Sequence, residues 1–178
     1  MIPYGRQDIV QEDIESINEV LKSDFLTQGP VVPKFEKKLC QLTTAEYSVV
    51  SNSASSALHL SCLALGLSSG DILWTSPITF VASANCAFYC GATVDFVDID
   101  PKSGLMSVEK LKEKLHKSEK EGKLPKIIIP VHLAGQPCDM EEIYILGKKY
   151  GFKIIEDAAH AIGAKYKGKN LGTIGDAG

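Results

Sequence analysis

Two long stretches without a single charge constrain this chain more than any other feature. Ser48 to Gly70 contains no Asp, Glu, Lys or Arg, and after Asp71 neither does Ile72 to Val94. Each is long enough to cross a bilayer. Ser, Asn, Thr, Pro and Gly interrupt both, however, and neither reads as a membrane span. In a chain that is otherwise 23% charged, such neutrality marks the buried layer of an α/β protein whose loops carry small polar residues. Small, hydroxyl-rich loops also suit a site that holds an anion through backbone N–H groups.

The apolar periodicity divides the chain into alternating elements. A helix is expected over residues 11–22, with Ile14, Ile17, Val20 and Leu21 on one face, followed by a linker over 24–30 and a helix over 33–42. Tyr47 to Val50 reads as a buried strand, 55–66 as a helix ended by Gly66, and 72–75 as a strand. A helix over 80–90 stops at Gly91, the usual residue just past a helix end, and a strand over 93–97 follows. The next helix, 107–121, turns Val108, Leu111 and Leu115 inward, and 126–129 is a strand. Asp139-Met140-Glu141-Glu142 has the form of a capping box, opening a helix that runs to Tyr150 and stops at Gly151. Residues 152–155 form another strand, and Ala164 to Gly178 reads as a hairpin turning at 167–170. Repeated strand–helix units with apolar strands predict a mostly parallel sheet covered on both faces. Ligands of such sheets bind beyond the carboxyl ends of the strands, so the residues after Val50, Thr75, Ile129 and Ile155 carry the functional information.

Composition narrows the classes. The 178 residues suit a single core. A formal net charge of −3, from 19 Lys+Arg against 22 Asp+Glu, lacks the basic footprint of a nucleic-acid binder. The five cysteines are odd in number and loosely spaced, without a second Cys/His pair at zinc spacing, so no metal site is expected. Free cysteines in apolar surroundings point to a reducing compartment. The N-terminus has no signal-peptide pattern, and the expected location is cytoplasmic.

Three strand ends stand out. After Val50 comes Ser51-Asn52-Ser53-Ala54-Ser55-Ser56, whose small residues and helix start could admit a phosphate, or could simply cap the helix. After Thr75, Phe80 stands where an aromatic ring could stack on a flat ligand, or could pack in the core. After Ile155, Asp157 is a carboxylate at the sheet edge that could pair with a protonated ring nitrogen, or could cap a turn. His160 and His132 are each compatible with a structural role.

Together these motifs are more specific than any one of them. Thr27-Gln28-Gly29-Pro30, Phe35-Glu36, Ser53 to His59, Pro77-Ile78-Thr79-Phe80, Val97-Asp98-Ile99-Asp100, Val131-His132-Leu133, Glu156 to His160 and Gly175-Asp176-Ala177-Gly178 occur in the order that resembles the DegT/DnrJ/EryC1/StrS aminotransferases. These are pyridoxal-phosphate enzymes acting on nucleotide-linked keto-sugars. The resemblance covers essentially the whole chain. Pro3 to Gln7 and Ser23 to Pro30 are most similar to the pseudaminic-acid branch, whose members aminate a UDP-4-keto-6-deoxy-N-acetyl-hexosamine at C4.

The resemblance implies a three-layer, aspartate-aminotransferase-like large domain of PLP-transferase fold type I, incomplete at its C-terminus. Residues 1–30 would form an N-terminal helix and linker, and 31–178 the first part of the cofactor-binding domain. It also implies roles. Ala54 and Ser55 match a Gly-Thr pair at the cofactor phosphate, with Ala54 a mild departure. Phe80 matches the aromatic stacked on the pyridine ring, Asp157 the carboxylate on the pyridine nitrogen, and His160 the residue beside the ring oxygen. Tyr4, Asp24, Phe25, Leu26 and Thr27 match positions that hold the sugar nucleotide. Implied partners are a UDP-linked keto-sugar, an amino donor (glutamate in most of the family) and a second copy of the chain, with no nucleic acid or membrane. The family's Schiff-base lysine follows Gly-Asp-Ala-Gly, so these 178 residues are expected to lack it and to be inactive alone. Some relatives are dehydratases with His in place of that lysine, and a non-catalytic remnant is a further alternative.

Overall fold

The computed structural model describes residues 6–178. Four short strands, β1 (Ile72–Thr75), β2 (Thr93–Phe96), β3 (Ile127–Ile129) and β4 (Lys153–Ile154), form one sheet in the order β2-β1-β3-β4, with every pairing parallel. Successive side chains in a strand point to opposite faces, which sorts the core into two clusters. Leu73, Ile127, Ile129 and Ile155 pack with Leu58 and Cys62 of α3 (Ala54–Ala64) and with Cys86 and Ala87 of α4 (Ala82–Tyr89). Trp74, Ile128 and Ile154 pack with Leu111 and Leu115 of α5 (Val108–Glu121) and Ile143 and Leu146 of α6 (Met140–Tyr150). Each fully buried Leu or Ile contributes roughly 1.5–3 kcal/mol. The result is the three-layer α/β arrangement with a parallel sheet that the sequence predicts. The neutral stretches account for α3, β1, α4 and the start of β2, which together make one complete helix layer and the strand beneath it.

Val108, Leu111 and Leu115 do face inward. Gly91, Gly122 and Gly151 end helices with positive φ. Cys62, Cys86 and Cys138 are buried free thiols, and burial pushes Cys138 up to about 12.

Three expectations need correction. Residues 47–50 form no strand; Tyr47 and Val49 are 79% and 83% exposed, and the Val50 amide donates to the side chain of Glu36 instead. Among the described residues no strand pairs with them, and alternation of apolar side chains cannot hold a strand whose backbone lacks a neighbour. The capping box at Asp139 does not form either. Asp139 makes no cap hydrogen bond because its carboxylate accepts from the Tyr166 hydroxyl, and Glu142 is drawn to Lys112. Finally, the hairpin is confined to β5 (Lys165–Tyr166) and β6 (Lys169–Asn170), and Lys167 in its turn pairs with Glu141. Residues 175–178 leave it and join the sheet edge, where Ile155 and Ala177 form a parallel bridge.

Near the N-terminus, α1 (Gln11–Leu21) and α2 (Val31–Thr43) bury no residue. Ile14, Ile17 and Leu21 are 46%, 60% and 63% exposed, so the apolar face predicted for α1 is present without a cover among the described residues.

A buried carboxylate secures the sheet's ligand-binding end. Glu156 and His132 are completely buried side chains joined by a 3.0 Å Nε2–Oε2 hydrogen bond. The His132 Nδ1 accepts from the Cys138 amide, so the ring proton sits on Nε2 and is donated to Glu156. The same carboxylate accepts from the amides of Gly172 (2.9 Å), Ile174 (2.6 Å) and Gly175 (2.7 Å). Gly175 has no alternative: a Cβ there would lie 2.8 Å from the Ile154 carbonyl oxygen. Burial works against the charge on Glu156, but His132 and the three amides outweigh it and hold the carboxyl below its ordinary range. A carboxyl depressed in the native state stabilises the fold fully above the ordinary glutamate range and loses that contribution as pH falls through its lowered native value. Glu156→Gln, which presents an NH2 to donors, is expected to cost about 3 kcal/mol at neutral pH. Urea melts across pH would show that difference shrinking on the acid side as the native Glu156 protonates.

Candidate active site

The cleft of interest lies beyond the carboxyl ends of β1, β3 and β4 and encloses about 120 Å³. Four stretches of chain converge on it. The start of α3 brings Ala54 and Ser55, the loop after β1 brings Thr79 and Phe80, the turn after β3 brings His132 and Leu133, and the loop after β4 brings Asp157 and His160.

Local chemistry explains each placement. Ser53 is extended and its hydroxyl accepts from the Ser56 amide at 3.2 Å, capping α3. The preceding amides of the first turn, those of Ala54 and Ser55, have no partner within the helix. Phe80 is 73% exposed, which removes the core-packing alternative. Its ring stands at the cleft without a hydrophobic neighbour layer to bury it.

Asp157 is fixed by the sheet. Its amide donates to the Pro130 carbonyl and its carbonyl accepts from the His132 amide, both at 3.0 Å, extending the β3–β4 ladder past the strands. Its carboxylate is half-buried. Oδ2 accepts from the Ser83 hydroxyl at 2.6 Å and Oδ1 from the Ala159 amide at 3.3 Å. The capping contact is thus the weaker of the two. His160 is exposed, and its Nδ1 accepts from the Ala134 amide at 3.3 Å. The turn over residues 133–135 fits closely against this loop: Gly135 adopts φ +80, and a Cβ there would meet the His160 carbonyl oxygen at 3.0 Å.

Five of the residues singled out in the sequence, Ala54, Ser55, Phe80, Asp157 and His160, therefore line one cleft. Asp24, Phe25, Leu26 and Thr27 form an exposed loop after α1 and are not among its lining. Tyr4 lies outside the described residues. Sequence reasoning missed Ser83, which reaches Asp157 from α4. No local pattern marks it, since its partner Thr79 stands in the loop before α4 and Asp157 is 74 residues away.

The donor set fits a flat, anionic aromatic ligand. Small residues and free amides stand at a helix N-terminus for a phosphate, an exposed aromatic face is available for stacking, and a carboxylate is set to receive a ring N–H.

A family model described as the DegT/DnrJ/EryC1/StrS aminotransferase family matches residues 7–178. The UDP-4-amino-4,6-dideoxy-N-acetyl-beta-L-altrosamine transaminase of Campylobacter jejuni is 41% identical over 176 residues, covering 99% of this chain and 46% of its own length. Among solved structures, Helicobacter pylori PseC, an aminotransferase of pseudoaminic acid biosynthesis, superposes with a TM-score of 0.87 at 31% identity over 96% of this chain and 44% of that one. The PLP form of the sugar aminotransferase Spr1654 from Streptococcus pneumoniae gives a TM-score of 0.87 at 31% identity over 98% of this chain and 47% of that one. The chain spans less than half the length of the curated relatives it matches.

Phe80→Ala is expected to change the unfolding free energy by no more than about 0.5 kcal/mol, against the roughly 3–5 kcal/mol of a core phenylalanine. Thermal or urea denaturation of the variant checks this, and a core-sized loss would contradict the exposed placement.

Proposed function

Because the chain belongs to the DegT/DnrJ/EryC1/StrS aminotransferase family, we propose that the complete protein is a pyridoxal-phosphate-dependent transaminase. It moves an amino group from glutamate to C4 of a UDP-linked 4-keto-6-deoxy-N-acetyl-hexosamine. The observation that carries this reading is the convergence of Ala54, Ser55, Phe80, Asp157 and His160 from separate segments on one cleft. The likeness to the Campylobacter jejuni transaminase supports the substrate class.

Bound pyridoxal phosphate supplies the electron sink that lets an amino group pass between donor and keto-sugar. The chain's own residues bind and orient it. The first-turn amides and positive dipole end of α3 would hold the phosphate, with Ala54 and Ser55 small enough to let it approach. Phe80 offers its exposed face to the ring. Asp157 would accept the ring N–H and hold the proton on the nitrogen. His160, held at the cleft rim by the Ala134 amide, would add a polar contact to the ring.

Tyr4 and residues 24–27 are the proposed contacts to the sugar nucleotide. The lysine that binds the cofactor covalently belongs, in this reading, to the part of the relatives' length that the chain does not match; Lys165, Lys167 and Lys169 are not part of the cleft lining. The 178 residues alone are accordingly inactive. A homodimer would cover apolar residues that α3 and α4 leave outward, among them Leu60, Leu63, Phe88 and Tyr89, each about half exposed or more. The free cysteines fit a cytoplasmic setting.

The complete protein, given the UDP-linked keto-sugar, glutamate and pyridoxal phosphate, is expected to yield the 4-amino sugar and 2-oxoglutarate. Asp157→Asn should lower turnover roughly 100-fold or more while the melting temperature stays near that of the parent; equal turnover would remove Asp157 from its role. Borohydride reduction of the 178-residue chain with pyridoxal phosphate should give no stoichiometric adduct at one lysine. A single fully modified lysine would overturn the placement of the nucleophile.

A further inference from the structure

Ser83 is the second residue of α4, completely buried, with Ala82, Ala84, Cys86 and Ala87 of the same helix also buried. A serine in an apolar helix normally returns its hydroxyl to a carbonyl of the preceding turn. One is within reach, since the Phe80 carbonyl oxygen lies 3.2 Å from Ser83 Oγ. The Asp157 Oδ2 is much closer, at 2.6 Å. A hydroxyl has a single proton to donate, and the shorter contact to a carboxylate is the stronger one. Ser83 therefore donates to Asp157. With its proton committed, Ser83 can only accept in its 2.8 Å contact with Thr79 Oγ1, which fixes the direction of a two-step relay from Thr79 to Ser83 to Asp157.

We propose that Ser83 is a positioning residue for the cofactor-binding carboxylate: supported by Thr79, it clamps Oδ2 of Asp157 so that the carboxylate keeps one orientation at the cleft and the ligand's ring nitrogen keeps its proton. This rests on the cofactor reading given above. The Asp carboxylate torsion is broad and roughly two-fold, and among the described residues its one other hydrogen bond is the 3.3 Å contact from the Ala159 backbone amide to Oδ1. Without Ser83 the carboxylate can turn. An acceptor held in one place also favours the protonated form of a ring nitrogen bonded to it. Preorganisation of this kind comes from residues that touch the functional group and not the ligand.

The test uses the protein expressed from its complete gene and pyridoxal phosphate labelled with 15N at the pyridine nitrogen. Two quantities are read: the dissociation constant, and the pyridine 15N shift, which reports whether that nitrogen is protonated. Ser83→Ala is expected to weaken binding roughly tenfold and to move the 15N signal toward the unprotonated value. Ser83→Thr, which retains the hydroxyl, should keep the parent's signal. A folded Ser83→Ala with the parent's affinity and 15N shift overturns the proposal and leaves the cofactor reading intact. Should Ser83→Ala fail to fold, Thr79→Val decides: a smaller displacement of the 15N signal in the same direction supports the relay, and an unchanged signal overturns it. A parent protein that binds no pyridoxal phosphate overturns the cofactor reading, and the role of Ser83 with it.

Discussion

The carboxylate of Glu156 joins more of this fold than any other group. It lies in the interior, and a charge there survives only if hydrogen bonds replace the water it has lost. His132 and three backbone amides from residues 172–175 supply them. Through that one group the end of β4, the turn after β3 and the returning chain after the hairpin are tied together. Asp176 adds to the same junction, accepting from the Ile154 amide and from Lys153. The Gly-Asp-Ala-Gly sequence is thus explained as packing chemistry. Gly175 clears the Ile154 carbonyl, Asp176 pairs with Lys153, and Ala177 forms a parallel bridge to Ile155.

The cleft depends on that junction because its walls are the loops that leave the sheet there. Its second wall comes from the neutral layer. α3 and α4 pack on each other and on β1, and their small residues let the start of α3 approach the end of β4. Charge would be out of place in such a layer, and the absence of charge over Ser48–Gly70 and Ile72–Val94 follows from two helices and a strand being pressed together. The positive end of α3 and the carboxylate of Asp157 are then the principal electrostatic features facing one another across the cleft, a complementary pair for a ligand carrying a phosphate at one end and a protonated nitrogen at the other.

How much of this was legible in the sequence depended on the range of the contact involved. Leu73-Trp74, Ile127-Ile128-Ile129 and Ile154-Ile155 could be read as strands because a dry parallel sheet demands apolar residues on both faces, a purely local signal. Helix ends at Gly91 and Gly151 were legible for the same reason. Tyr47 to Val50 was misread because strand existence depends on a backbone neighbour that no local pattern displays. Asp139 was misread because its partner, Tyr166, is 27 residues away and outcompetes the helix amides. That Ala54, Ser55, Phe80, Asp157 and His160 belong together was legible through ordered motifs, and they line one cleft, while Ser83, 74 residues from the carboxylate it touches, had no motif to announce it. The high exposure of Phe80 could not be read either, since an aromatic after a strand looks the same whether it is covered or not.

Glu156 and Asp157 show how one strand end serves two purposes. Adjacent residues in an extended chain face opposite ways. Ile155 points into the α3–α4 face, so Asp157 follows it to that side and meets Ser83 on α4. Glu156 points to the other side, where Cys138 of the α5–α6 cluster sits beside its partner His132. The inward-facing carboxylate is saturated with donors and completely buried, so it has no remaining capacity for a ligand. Its neighbour keeps one oxygen engaged by a strong donor and presents the other to the cleft with a single long contact. The same chemical group thus fastens the scaffold on one face and stands ready for a ligand on the other, and the difference between them is set by the two-residue period of the strand and by what each face supplies.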